Sequence, residues 1–276
     1  MAVLNPWLAS LDLSFERSPD PQNHRTLLGR RRHHGPLMVQ RPFYEDNGTC
    51  QVYVLHPPGG VVGGDQLTLD CELRAGAHAL LTTPAASKFY RSEQRECVQR
   101  QNFRVAQGAT LEWLPQETIL FDGSRLESET RIELEPGAHF TGWEIVCLGR
   151  DERGFTRGMY SQRWRLLREQ RVVWAERGAW TGGAEMLDAA WGLAGRRVLG
   201  TLVSTGSEPA LVEAVRSAVQ ADGDDWFSVT ALRDVLVARY LGYSAEIAKR
   251  LFARVWALLR PGLSGRDAVC PRVWAT

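Results

Sequence analysis

The chain has 276 residues, enough to bury a full core as one large domain or two small ones. Its 33 basic and 32 acidic side chains nearly cancel, which argues against nucleic acid as the main partner, because phosphate binding draws on a positive surplus. The five cysteines, Cys50, Cys71, Cys97, Cys147 and Cys270, are odd in number and more than twenty residues apart, so neither a disulfide framework nor a Cys-x-x-Cys metal site is visible and a reducing, cytoplasmic setting is expected. The start carries no basic-then-apolar leader, and no run reaches the roughly 18 apolar residues of a membrane span, so the sequence reads as soluble and untargeted.

In chain order, Leu11, Leu13 and Phe15 alternate as a first strand and run into a turn-rich stretch at Ser18 to Asn23. The basic run Arg30-Arg31-Arg32-His33-His34 fits a solvated or acid-pairing face better than a nucleic-acid arm. Prolines then keep residues 35–44 extended, and a short strand from Cys50 to Leu55 feeds the stretch His56-Pro57-Pro58-Gly59-Gly60-Val61-Val62-Gly63-Gly64-Asp65. Two prolines fix φ there and four glycines, Gly59, Gly60, Gly63 and Gly64, open backbone angles closed to other residues, so a tightly specified loop is expected. It reads as a sharp corner between strands, with the two nearest titratable groups, His56 and Asp65, at its two mouths. A phosphate cradle is disfavoured, because Asp65-Gln66 stands where a P-loop has Lys-Ser/Thr.

Leu67, Leu69, Cys71 and Leu73 alternate with polar residues as a half-buried strand. The pair Gly76-Ala77 breaks it, and the break recurs at Gly108-Ala109 and Gly137-Ala138, 32 and then 29 residues on. This is the period of a strand-turn-strand unit that stacks on its neighbours. Alternation continues at Tyr160, Gln162, Trp164 and Leu166, and again at Val198 to Val203 and Val235 to Leu241. Two helices are expected in the last third. One covers about 208–220, starting near Ser207 and Pro209; the other covers 245–259, with Ser244 as N-cap and its end before Pro261. The apolar residues of the second, Phe252 and Trp256 among them, span an arc wider than one stripe, which suits either a well-buried core helix or one with a second face for a partner. The expected fold is mainly β, a β-helix-like stack of repeats over about 35–205 with two late helices, in one domain covering 1–276.

No Gly-x-Ser-x-Gly, His-Glu-x-x-His or Gly-x-Gly-x-x-Gly motif is present. What stands out are polar residues in apolar settings: His56 and Asp65 beside the glycine loop, Lys88, Tyr90 and Arg91 after Thr82-Thr83-Pro84-Ala85-Ala86, Glu112, Glu117 and Asp122 in Leu111 to Asp122, and Glu144 after Gly142-Trp143. They serve either as internal ion pairs that fix register or as the lining of a polar passage. Carboxylates and an imidazole are donors that a borderline divalent ion such as nickel accepts. A metal-dependent hydrolase with a site near Asp65 and Glu117 is the alternative; the missing base and nucleophile pair argues against it.

The blocks 56–65, Thr82-Thr83-Pro84-Ala85-Ala86 to Arg91, Leu111 to Asp122, and Gly142-Trp143-Glu144 followed by Gly149-Arg150 resemble the signature stretches of the urease accessory protein family UreD, called UreH in some organisms. The resemblance runs from Gly35-Pro36-Leu37 to the last helix, departing at Glu45 and Ser87, where the family more often has Pro and Thr. It implies a non-enzymatic β-helix-like scaffold in a symmetric hetero-oligomer. Such a scaffold binds the accessory protein UreF through its C-terminal region, recruits the nickel-carrying GTPase UreG and docks on apo-urease. Nickel would pass through it without a permanently bound cofactor. On this reading Asp65, Glu117, Asp122, Glu144 and His56 line the passage, and Phe252, Trp256, Arg239 and Tyr240 meet the partner.

Overall fold

The Gly-Ala repeat marks the corners of a coil. The computed structural model describes residues 6–20, 22–45, 48–92, 95–150, 154–206, 208–221 and 223–275. Its strands are β1 (Leu8–Arg17), β2 (Thr26–His34), β3 (Met38–Val39), β4 (Cys50–Leu55), β5 (Gln66–Leu73), β6 (His78–Thr82), β7 (Ser87–Phe89), β8 (Cys97–Val105) and β9 (Thr110–Trp113). They continue as β10 (Thr118–Leu120), β11 (Arg125–Leu134), β12 (His139–Leu148), β13 (Met159–Arg168), β14 (Arg171–Thr181), β15 (Val198–Thr205), β16 (Trp226–Leu232) and β17 (Val235–Gly242). One sheet runs β14-β13-β11-β8-β5-β1-β2; the other runs β16-β17-β15-β12-β9-β6-β4-β3, with β7 and β10 alongside β12. The chain passes between the sheets at each Gly-Ala corner, from β5 to β6, β8 to β9 and β11 to β12. Neighbouring turns of the coil pair in parallel, so the strands stack like a β-solenoid.

The corners stack as well. Thr110 N–H donates to the Ala77 carbonyl and His139 N–H to that of Ala109, at 2.8 and 2.9 Å. At Gly76, Gly108 and Gly137 φ lies between 64 and 69°, the left-handed region where a side chain strains the backbone, and this is why the repeat keeps glycine there.

Parallel pairing sets inward side chains in rows across the seven-stranded sheet. Leu13, Cys71, Phe103, Ile132 and Leu166 share one register row and Phe15, Leu73, Val105 and Leu134 the next. These apolar rows meet Leu81, Leu111, Phe140 and Val203 of the opposite sheet to form the first core. A second core lies on the outer face of the ten-stranded sheet. There Leu80, Trp143, Ile145, Leu202 and Leu236 are covered by α1 (Pro209–Ala218) and α2 (Ala245–Ser264). β12 is therefore buried on both faces.

Both helices lie in the C-terminal part, as the sequence leads one to expect, with two differences. The helix expected over about 208–220 starts at Pro209, as N1, but already ends at Ala218, and Ser207 lies outside the described residues. α2, capped by the Ser244 hydroxyl at 3.3 Å from Ile247 N–H, runs through Pro261 to Ser264 rather than stopping before the proline. It does so because side chains hold its last turn as well as the backbone: the Arg260 side chain is anchored in the sheet and the Ser264 hydroxyl donates to the Arg260 carbonyl, while Gly265 N–H closes the turn on the Pro261 carbonyl. No helix among the described residues is long and apolar enough to cross a membrane. The basic run 30–34 is the end of β2, an edge strand that period counting on charged residues does not reveal.

Candidate functional site

The glycine loop leans on the segment after β7 at a distance that only glycine permits. A Cβ on Gly60 would stand 2.0 Å from the Tyr90 ring, and one on Gly63 1.9 Å from the Ser92 hydroxyl and 2.9 Å from the Arg95 carbonyl oxygen. Two backbone hydrogen bonds, Val61 N–H to Lys88 O and Tyr90 N–H to Val61 O, fasten the two segments at 2.8 and 2.9 Å. Asp65 closes the loop from below. Only 3% exposed, it accepts from Trp7 N–H at 2.9 Å and Val62 N–H at 3.0 Å, so both its oxygens are occupied by backbone. At the other end half-buried His56 sits edge-on to Trp7; burial lowers its pKa, with the charge of Asp65 pulling the other way.

Under this loop a cavity of about 340 Å³ enters the space between the sheets. His56, Gly59 and Gly60 line its loop side, Lys88 and Gln116 its wall, and Gln99, Gln101 and Glu144 its floor. The floor is polar because two register rows change character: Leu67 is followed by Gln99, Ser128 and Gln162, and Leu69 by Gln101, Thr130 and Trp164. Glu144 faces them from β12. It accepts from the Ser128 hydroxyl at 3.2 Å and the Trp164 indole N–H at 3.0 Å; burial raises its pKa, and the nearby charge of Glu176 adds to the rise. The hydroxyl of Tyr160 is pushed well above the ordinary phenol range by burial and by the same two carboxylates.

A second cavity, of about 420 Å³, opens at the far end of the coil. Gln162, Glu176 and Trp180 line it from the seven-stranded sheet, and Thr201, Trp226, Ser228 and Arg239 from the other. Glu176 continues the row of Gln101, Thr130 and Trp164 onto β14. Two interior carboxylates, one in each cavity, thus lie within reach of each other's field, with Ser128 and Gln162 neighbours in register beside them.

The remaining sequence candidates stand elsewhere. Asp122 accepts from Thr156 and Arg157 N–H at 2.7 and 3.0 Å; burial works against its charge, but those donors hold its pKa below the ordinary carboxylate value. Glu117, at the turn before β10, is felt by Lys249 and Cys147 on the helix side of the sheet. Among the described residues no three His, Cys, Asp or Glu side chains converge on one point. Phe252 and Trp256, expected to meet a partner, are buried in the second core, against Trp143 and Trp274 respectively. Most of α2's wide apolar arc packs in the second core, and Leu258 alone of its leucines stays exposed. Tyr240 is buried too, donating to Asp225 at 2.6 Å; of the four expected contacts only Arg239 reaches solvent. Gln99, Gln101, Ser128 and Thr130 escape a reading based on charge, although polar residues in the buried phase of consecutive repeats mark them; Glu176 is charged, but its place in the row follows only from the pairing of β14 with β13.

Residues 8–275 match the family described as UreD urease accessory protein. The chain belongs to this family. It is 47% identical over 278 residues to the urease accessory protein UreD of Dechloromonas aromatica, covering 98% of this chain and 95% of that one. The UreD proteins of Azoarcus sp. and Methylobacillus flagellatus are 45 and 44% identical over 275 residues, covering 98% of this chain and 94 and 95% of theirs. The UreD match thus spans the glycine loop, both cavities and both late helices.

Proposed function

We propose that the chain serves urease maturation as a non-enzymatic scaffold, joining apo-urease to the accessory proteins UreF and UreG, and that nickel crosses it through the polar interior of the solenoid. Membership of the UreD family supports the role in maturation. The observation that carries the passage is the pair of interior carboxylates, Glu144 in one cavity and Glu176 in the other. Single carboxylates in series bind a divalent ion weakly enough to release it, where a converging Cys/His cluster would retain it. His56 stands at the loop mouth, an imidazole that burial biases toward the neutral, metal-accepting form. Asp65 and Asp122 hold loops in place and support the passage by shape.

Glu144→Gln tests this reading. The amide oxygen still accepts from Trp164, so melting temperature and partner binding are expected to stay near the parent values. Nickel loading of urease in a reconstituted activation assay should fall about tenfold, the scale of losing one ligand-strength interaction. Asp65→Asn is the contrast, since its loss of loading should follow its loss of stability. Normal loading with Glu144→Gln sinks the passage.

A further inference from the structure

The two interior acids are held by different chemistry. Glu144 accepts from neutral donors, the Ser128 hydroxyl and the Trp164 indole. Glu176 instead has the Arg239 guanidinium at 2.5 Å, with the Thr201 hydroxyl at 3.2 Å on its other oxygen. Arg239 sits on β17 with Thr201 of β15 on one side of it in register and Ser228 of β16 on the other, so its side chain projects into the second cavity. The Glu176 side chain is 14% exposed and that of Arg239 50%, so the guanidinium reaches in from the solvent edge to a carboxylate that is mostly shielded.

We propose that Arg239 is a built-in counter-cation that occupies Glu176 and closes this end of the interior to divalent ions, so that a cation enters from the His56 side. The proposal rests on the passage reading and adds a direction to it. A guanidinium does not lose its proton in a protein, so the pairing is permanent until the side chain itself moves. While it stays, it cancels the charge that would draw a dication and adds a repulsion a few ångströms from the same oxygens. Opening requires only a rotamer change of one long, half-exposed side chain, with no backbone movement. The mouth lies between β14 and β16, the two edge strands at this end, where a docked protein would lie directly over Arg239.

Nickel(II) binding to the full-length chain, followed by equilibrium dialysis, tests this without urease. Arg239→Gln should tighten binding roughly tenfold or more, the order expected when a cation that competes with nickel is removed from a shielded carboxylate, and Glu176→Gln in the same chain should abolish the gain. No gain in a folded Arg239→Gln protein, or a gain that survives the added Glu176→Gln, overturns the proposal. If Arg239→Gln does not fold, Arg239→Ala is measured in its place against the same two outcomes. The two readings fail separately, because the passage is judged by urease loading with Glu144→Gln and the closure by nickel held on this chain.

Discussion

Glu112 shows what a single residue can stake on its partners. It lies on β9 facing α2, fully buried, and accepts from the Arg260 guanidinium at 2.9 Å, the Trp256 indole at 2.6 Å and His78 Nε2 at 2.9 Å. Burial alone would raise its pKa; the hydrogen bond and charge of His78 and the charge of Arg260 outweigh burial and hold it at about 2. A folded value below the ordinary 4.5 means that the stabilisation is complete above about pH 4.5 and is lost as pH falls toward 2, an amount of about 3 kcal/mol. Denaturation free energies from neutral pH down to about pH 3 should show this loss, and Glu112→Gln should flatten it. Arg260→Met leaves the carboxylate buried without its cation and is expected to cost about 3–5 kcal/mol in the same measurement. A cost under about 1 kcal/mol would mean that the pair is no more than an exposed one.

Among the elements, the glycine loop carries the sharpest expectation. Gly63→Ala brings a Cβ against both Ser92 and the Arg95 backbone, whereas Gly60→Ala meets only the Tyr90 ring, which is exposed enough to swing aside. Hydrogen exchange at the Val61 and Tyr90 amides should therefore quicken more in Gly63→Ala than in Gly60→Ala; equal protection in both would show that the loop is not held by close approach. Much of the fold was legible for the same reason that the loop is: glycine at the corners and period-two alternation between them are local demands, written residue by residue. The stretch beyond Pro261 was not, because Arg260 meets Glu112 from 148 positions away and overrides a local stop signal. The site was legible only in part. Glu144 and His56 line the first cavity, but the row of Gln101, Thr130 and Glu176 depends on which strands lie side by side, and that is fixed by pairing rather than by any one segment.

For the whole molecule, a stack of parallel strands leaves open edges, and β2 closes one of them with Arg31, Arg32, His33 and His34 on its exposed length. Charges on an edge strand discourage a second sheet from adding to it. Replacing Arg31 and Arg32 by Thr should increase concentration-dependent self-association in light scattering, and a variant that stays monodisperse would assign the run to another task. Stacked repeats usually depend only on their neighbours and can form one after another. Here the end of the chain reaches back to its earlier turns: Arg260 bonds Thr49 beside β4 and Glu112 on β9, and Trp274 donates to Thr82 of β6. A growing polypeptide thus lays down β6, β9 and β12 long before their outer cover exists. Leu80, Trp143 and Ile145 stay bare until α2 and Trp274 have been synthesised, so that interval is when this protein is most open to capture by the wrong surface.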